Sequence, residues 1–230
     1  MTLKDLLKSD FGVELPISGG FGNSIVNAII IHRSGINDYV GTEHFILKCL
    51  GEGRGIEWKV LGQELLRHND QQIDKIKIEK IGVDPISGGN FKGTSDEFFE
   101  QNKKNFDCIF IDGMHEYKQV KKDIINSIKF LNKNGIIILH DCLPKSINHQ
   151  RVPRTRYSWN GDVWKAVVEA RTWKYVDTYT VLSDQGLGII KNKDNTDLLN
   201  LKVTSFEKLK FKFFYDNYPK IMRTIRYNDL

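Results

Sequence analysis

A chain of 230 residues, 40% of them hydrophobic and 27% charged, is long enough for one α/β domain with a sizeable core, or for one such domain with a small extra module. Its 11% aromatic content and its runs of Ile, Leu and Val exclude disorder over most of the length, and no stretch approaches the roughly 18 apolar residues of a membrane span. A formal net charge of +5, from 34 Lys and Arg against 29 Asp and Glu, suits an anionic substrate but does not by itself make a nucleic-acid binder.

Met1-Thr-Leu-Lys-Asp-Leu-Leu-Lys8 lacks the apolar run and small-residue cleavage site of a signal peptide. Leu15 to Ser24 is glycine-rich and leads into the apolar run Ile25 to Ile31. Glu43 to His68 has two readings. In one, Phe45 to Leu50 is a strand, Gly51-Glu-Gly53-Arg-Gly55 a phosphate-type loop, and Ile56 to Leu66 the helix after it. In the other, the whole stretch is a helical hairpin in a separate module, and Gly51 to Gly55 is only its turn.

From residue 76 the pattern is clearer. Ile76 to Val83 alternates, turns apolar and stops at Asp84-Pro85, as a strand entering a turn does. Thr94 or Ser95 caps a short helix. Phe106 to Ile111 is a continuous apolar run, the mark of a parallel strand buried on both faces. Val120, Ile124, Ile128 and Leu131 fall at helical spacing, with lysines opposite, until Asn134-Gly135 breaks the pattern. Ile136 to Leu139 is a second apolar strand, ending at His140-Asp141. Pro144 to Trp159 reads as a loop, Asp162 to Trp173 as a helix, and Tyr175 to Leu182 with Leu187 to Lys191 as a hairpin. In the tail, Phe206, Leu209 and Phe213 at helical spacing among many lysines predict a covering helix or arm.

This order predicts a Rossmann-like, doubly wound α/β fold: a mostly parallel sheet with an antiparallel C-terminal hairpin at its edge. The expected organisation is an N-terminal segment at 1–75, an α/β core at 76–200 and a basic helix or arm at 201–230. Such sheets bind ligands beyond the carboxyl ends of their strands, where Asp84, Asp112 and His140-Asp141 all fall. Cys49, Cys108 and Cys142 are odd in number, widely spaced and without a Cys-x-x-Cys pair, which predicts a reducing, cytoplasmic setting.

The blocks Ile81-Gly-Val-Asp84-Pro, Thr94-Ser-Asp-Glu-Phe-Phe99, Phe106 to Tyr117, Gly135 to Asp141 and Trp159-Asn-Gly-Asp-Val-Trp164 resemble the class I S-adenosylmethionine-dependent methyltransferases. More narrowly, they are similar to the small, often metal-dependent O-methyltransferases that modify sugars. The resemblance covers about half the chain. It implies that Asp84 binds the cofactor ribose, that Ser95 lies near the adenine edge, and that Gly51, Gly53 and Gly55 form the cofactor loop if the strand reading of Phe45 to Leu50 holds. Family members carry an acid two places before that loop; this chain has Cys49 there, and Glu52 within it.

Asp112 and His115 carry the chemistry in this resemblance. A protonated aliphatic hydroxyl is a poor nucleophile, so methyl transfer gains from a base within hydrogen-bond reach; the resemblance makes His115 that base and Asp112 a metal- or cofactor-side acid. Related metal enzymes have two acids where this chain has His140-Asp141. Asp112 and Asp141, with His140 as a third group, are the expected ligands for magnesium or manganese. Tyr157 and Trp159 are candidates to stack on a sugar, and Arg154 to hold a phosphate or carboxylate. The implied activity is O-methylation of a sugar, nucleotide-linked sugar or glycan. Without the expected cofactor loop, the alternative is a non-catalytic binding module on a degenerate fold. No Asn/Asp-Pro-Pro-Tyr motif is present, so nucleic acid is not the expected partner. Enzymes of this kind often form homo-oligomers, which the resemblance leaves open here.

Overall fold

A computed structural model describes residues 14–15, 27–31, 58–59, 79–86 and 89–226, the first three segments and residues 79–80 as backbone only. Strands β1 (Glu14–Leu15), β2 (Asn27–Ile31) and β3 (Trp58–Lys59) precede β4 (Glu79–Asp84), β5 (Phe91–Lys92), helix α1 (Ser95–Gln101), β6 (Phe106–Ile111), α2 (Tyr117–Lys129) and β7 (Leu131–Leu139). After these come α3 (Ile147–Gln150), α4 (Val163–Ala170), β8 (Asp177–Val181), β9 (Leu187–Lys191), α5 (Phe211–Ile221) and β10 (Thr224–Ile225). β1 and β3 form a separate two-stranded antiparallel pair.

The main sheet has eight strands in the order β10-β8-β9-β7-β6-β2-β4-β5. β5, β4, β2, β6 and β7 run parallel to their neighbours, and β9 is antiparallel to both β7 and β8. The β8–β9 hairpin is not the outer edge, however: β10 pairs parallel to β8 beyond it. The place between β4 and β6, which the strand reading of Phe45 to Leu50 requires, is taken by Asn27–Ile31. Residues 45–50 and the glycines Gly51, Gly53 and Gly55 lie outside the described residues.

Register places the site. Ile31 pairs with Val83 on one side and with Ile111 on the other, and Ile111 pairs with Leu139. Asp84, Asp112 and His140 each follow a member of that row, so all three emerge at one end of the sheet. The His140 N–H continues the ladder by donating to the Ile111 carbonyl at 3.1 Å.

The strands are buried because they are apolar on both faces: Ile109, Ile137, Ile138 and Leu139 are fully covered. α1 starts at Thr94, whose hydroxyl accepts from the Glu97 N–H at 3.2 Å while the Glu97 carboxylate accepts from the Thr94 N–H at 2.7 Å, a reciprocal cap. α2 ends earlier than its apolar spacing suggests. Leu131 opens β7, and Asn134 takes a positive φ of 67° where the strand shifts register against β6. α5 covers α4 through Trp164 and Phe214, whose rings lie 4.8 Å apart. No helix among the described residues is long and apolar enough to cross a membrane.

Candidate active site

Beyond the ends of β6 and β7 the chain makes two sharp corners. Met114 and His115 adopt positive φ angles of 39° and 49°, and Asp141 one of 58°. L residues with side chains rarely adopt this region, so both corners hold strain that the surrounding contacts must stabilise. The corners aim four polar side chains at one another: Asp112, His115, His140 and Asp141 are all at least 96% buried.

Asp112 is the hub. Its Oδ1 lies 2.9 Å from His115 Nε2 and 3.1 Å from His140 Nδ1. The other nitrogen of His140, Nε2, lies 3.1 Å from Asp184 Oδ2. Burial alone would raise the Asp112 carboxyl, but the hydrogen bonds and charges of the two histidines outweigh it and hold Asp112 far below the usual carboxylate range. Burial alone would lower His140, yet its bonds to Asp112 and Asp184 and the charges of Asp112 and Asp141 push it up to about 11. His140 is thus a cation that donates from both ring nitrogens.

With its proton on Nε2, His115 donates to Asp112. Its Nδ1 then carries a lone pair, lies 3.2 Å from Asp141 Oδ2 and makes no hydrogen bond. Burial raises Asp141 to about 6. An imidazole held in one tautomer by a carboxylate, with its second nitrogen unbonded, is the arrangement of a general base.

A segment far along the chain closes over this cluster. The Trp159 ring stacks on His115 with centroids 5.6 Å apart and planes 25° from parallel. Asn160 Nδ2 donates to Asp141 Oδ1 at 3.0 Å. The Asp162 N–H donates to the His115 carbonyl at 3.0 Å, and Asp162 Oδ1 accepts from the Tyr117 N–H at 2.6 Å. Asp162 therefore caps α2, not the helix it precedes. The Asp162–Tyr117 tie spans 45 residues of sequence and the Asn160–Asp141 tie 19, and only the types of residue, not their pairing, are visible in the chain.

The remaining candidates are placed as follows. Asp84 is buried at the end of β4, with Oδ1 accepting from the Ile86 N–H at 2.7 Å in an Asx turn. Ser95 is not the cap of α1; its hydroxyl donates to Asp123 Oδ1 at 2.6 Å. Trp159 is buried against His115. Arg154 donates to the Arg156 and Tyr157 carbonyls and lies over the Tyr157 and Trp159 rings, so it holds its own loop together. Tyr157 is 74% exposed. Ligand atoms of Asp112, His115 and Asp141 lie within 4.8 Å of one another, a group that contains His115 where the sequence suggested His140. Sequence reasoning missed Asn160, Gly161 and Asp162 as partners of this cluster, and also Asp184, which reads as a turn residue.

Burial raises Asp123, between α1 and α2, to about 6 from its ordinary 3.8, despite bonds from Ser95 and Gln119. An acid whose folded pKa is raised binds its proton more tightly when folded. Its contribution to stability is greatest below 3.8 and falls as pH climbs through about 6. Asp123→Asn, which keeps an acceptor for Ser95, is expected to gain on the order of 3 kcal/mol over the native protein between pH 4 and 8. Urea unfolding at both pH values checks this, and a difference that does not change with pH would be the contrary result.

Residues 47–142 match the family model described as a methyltransferase domain. The matched segment, less than half of the chain, includes Asp84, Asp112, His115 and Asp141. No curated protein matches the chain. Among solved structures it is similar to the methyltransferase PaMTH1 of Podospora anserina bound to SAH, with 14% identity, 73% of this chain and 72% of that chain covered, and a TM-score of 0.43. It is also similar to a protein of Corynebacterium glutamicum (12% identity, 88% and 81% covered, TM-score 0.42). A third is an O-methyltransferase of Bacillus cereus in complex with SAH (13% identity, 74% of each chain covered, TM-score 0.39).

Proposed function

We propose that this chain is an O-methyltransferase that moves the methyl group of S-adenosylmethionine to a hydroxyl of a sugar, nucleotide-linked sugar or glycan. The observation that carries the reading is His115, braced through Nε2 by Asp112 and left with an unbonded Nδ1 beside Asp141. His115 Nδ1 would take the proton of the acceptor hydroxyl, whose oxygen would gain the methyl group as the sulfonium C–S bond breaks and S-adenosylhomocysteine leaves. The Asp112 and Asp141 carboxylates stabilise the imidazolium that forms, and Trp159 excludes water from one face of the ring. S-adenosylmethionine, when bound, supplies an electrophilic methyl group on a sulfonium. Asp84, buried at the end of β4, is the candidate for its ribose hydroxyls. Asn27–Ile31 holds the place between β4 and β6 that the strand before Gly51, Gly53 and Gly55 requires, so these glycines are not offered as the cofactor loop.

A divalent cation of the magnesium or manganese type fits the same cluster. Asp112 Oδ2 is buried without a hydrogen-bond partner among the described residues, and the Asp112 and Asp141 carboxylates supply hard oxygen donors that leave His115 Nδ1 for the base role. Bound there, it would polarise the hydroxyl oxygen. His140, bonded through both nitrogens, then orients Asp112.

Calorimetric titration of S-adenosylhomocysteine, with magnesium and with chelator, tests the reading. Micromolar affinity, about −8 kcal/mol, is expected. No binding in either buffer would favour the non-catalytic alternative, which the Cys49 and Glu52 departures suggest. His115→Ala is expected to keep this affinity but lose on the order of 10²- to 10⁴-fold in turnover with sugar acceptors; unchanged turnover would remove His115 as base.

A further inference from the structure

The loop that closes over His115 has an outer side as well. From Leu143 to Gly161 it contains no acid, but Lys145, Arg151, Arg154 and Arg156, together with His149. Residues 151–158 are all exposed, and the chain turns inward only at Trp159 and Asn160. Arg154 is held by carbonyls of its own loop. Lys145, Arg151 and Arg156 have no acidic partner among the described residues. His149 is lowered first by burial and then by the charges of Arg156 and Lys145. A cavity of about 560 Å³ opens here, lined by Asn148, Thr155, Arg156, Tyr157 and Ser158.

The geometry points to an oxyanion subsite on this rim, in which Arg151, Arg156 and Lys145 hold a phosphate or carboxylate group of the acceptor while its hydroxyl lies at His115. This inference rests on the proposed O-methyl transfer and narrows its substrate to an anionic hydroxyl compound. Arg156 lines this open polar cavity on a loop that also carries Lys145 and Arg151 and no acid, and a compact oxyanion would offset that excess of positive charge. The spatial link is the row of planes His115, Trp159 and Arg154, with centroid distances of 5.6 and 5.9 Å, and the exposed Tyr157 5.8 Å from the same guanidinium. A sugar between rim and base has Tyr157 as an aromatic wall, and the Trp159 Nε1–H bond to the Arg151 carbonyl, 2.6 Å, fixes the rim to the site.

The test uses the full chain at about 50 mM salt, where screening is modest, with inorganic pyrophosphate and glucuronate as probes in separate calorimetric titrations. The native protein is expected to bind at least one, pyrophosphate marking a phosphate subsite and glucuronate a carboxylate subsite. Arg151→Gln with Arg156→Gln is expected to weaken binding by about ten-fold or more, and Lys145→Gln alone to weaken it less. Lys103→Gln with Lys133→Gln, the same charge loss at the amino ends of β6 and β7, is expected to leave it unchanged. Binding of neither probe, a rim variant that binds like the native protein, or a control that falls as far as the rim variant would each overturn the subsite. S-adenosylhomocysteine is titrated into every variant. Its loss from the native protein with anion binding kept would strike the methyl-transfer reading and leave the subsite standing. The reverse would strike the subsite alone.

Discussion

Asp112→Asn is expected to lower stability by about 3–5 kcal/mol, the usual cost of removing one partner from a buried charged network, and to lower the melting temperature by roughly 10 °C for a chain of this size. Asp112 Oδ1 is the shared acceptor of His115 and His140, and the carboxyl is fully buried. An amide keeps the shape but loses one of the charges that hold His140 protonated, with Asp184 and Asp141 still facing it. The pH dependence separates this from simple loss of packing. A carboxyl held below its ordinary value stabilises the fold above 3.8 and loses that contribution as pH falls through its folded pKa. A histidine raised to about 11 contributes fully below 6.5 and loses its contribution as pH rises toward 11. The native protein is therefore expected to lose stability on both sides of neutrality, and the variant to show a flatter alkaline limb. Melting curves from pH 6 to 10 measure this, and parallel limbs would contradict the pairing of Asp112 with His140.

Turnover is expected to fall with stability, because the same carboxylate sets the tautomer of His115. With an amide in its place, Nε2 no longer has a preferred charged acceptor, and Nδ1 is no longer reliably the unprotonated nitrogen. The cost lies in orientation as well as electrostatics, so a variant that still binds S-adenosylhomocysteine should turn over far more slowly.

How much of this was legible follows from the range of each interaction. The ends of β4, β6 and β7 were readable because a parallel strand covered on both faces is a continuous apolar run, and Asp84, Asp112 and His140-Asp141 stand where those runs stop. That they share one end of the sheet follows from parallel pairing alone. Asn27–Ile31 was visible only as an apolar run. Its place between β4 and β6 is a matter of partners, not composition. Leu131 misled because helical spacing continues to it, whereas the strand needs it opposite Phe106. Ser95 and Thr94 are both acceptable caps, and the choice falls to Thr94 because Ser95 finds Asp123, 28 residues away. Asp184 looked like turn chemistry, which it is, with φ 42°, and it also partners His140.

Gly161→Ala tests whether the segment after Trp159 is what holds His115 in place. Gly161 has φ +67°, which costs an L residue about 1–2 kcal/mol. A Cβ there would overlap the His115 carbonyl oxygen and lie 2.7 Å from both the carbonyl carbon and the Cβ of His115. The obstacle is backbone, so no rotamer change relieves it, and one of the two chains must move. Movement breaks the Asp162 N–H bond to that carbonyl, the Asp162 cap on Tyr117 and the Asn160 bond to Asp141. The expected cost is about 3 kcal/mol or more, a melting temperature lower by roughly 6–12 °C. If His115 is the base proposed above, turnover is expected to fall by about 10²-fold even where the fold survives, since a displacement of about 1 Å costs that much. Affinity for S-adenosylhomocysteine should change little if Asp84 binds it as proposed, because the end of β4 lies on the far side of β2 from this contact. A variant that melts within about 2 °C of the native protein would mean that the corner at His115 holds its positive φ by itself, and that Trp159 to Asp162 covers the site without shaping it.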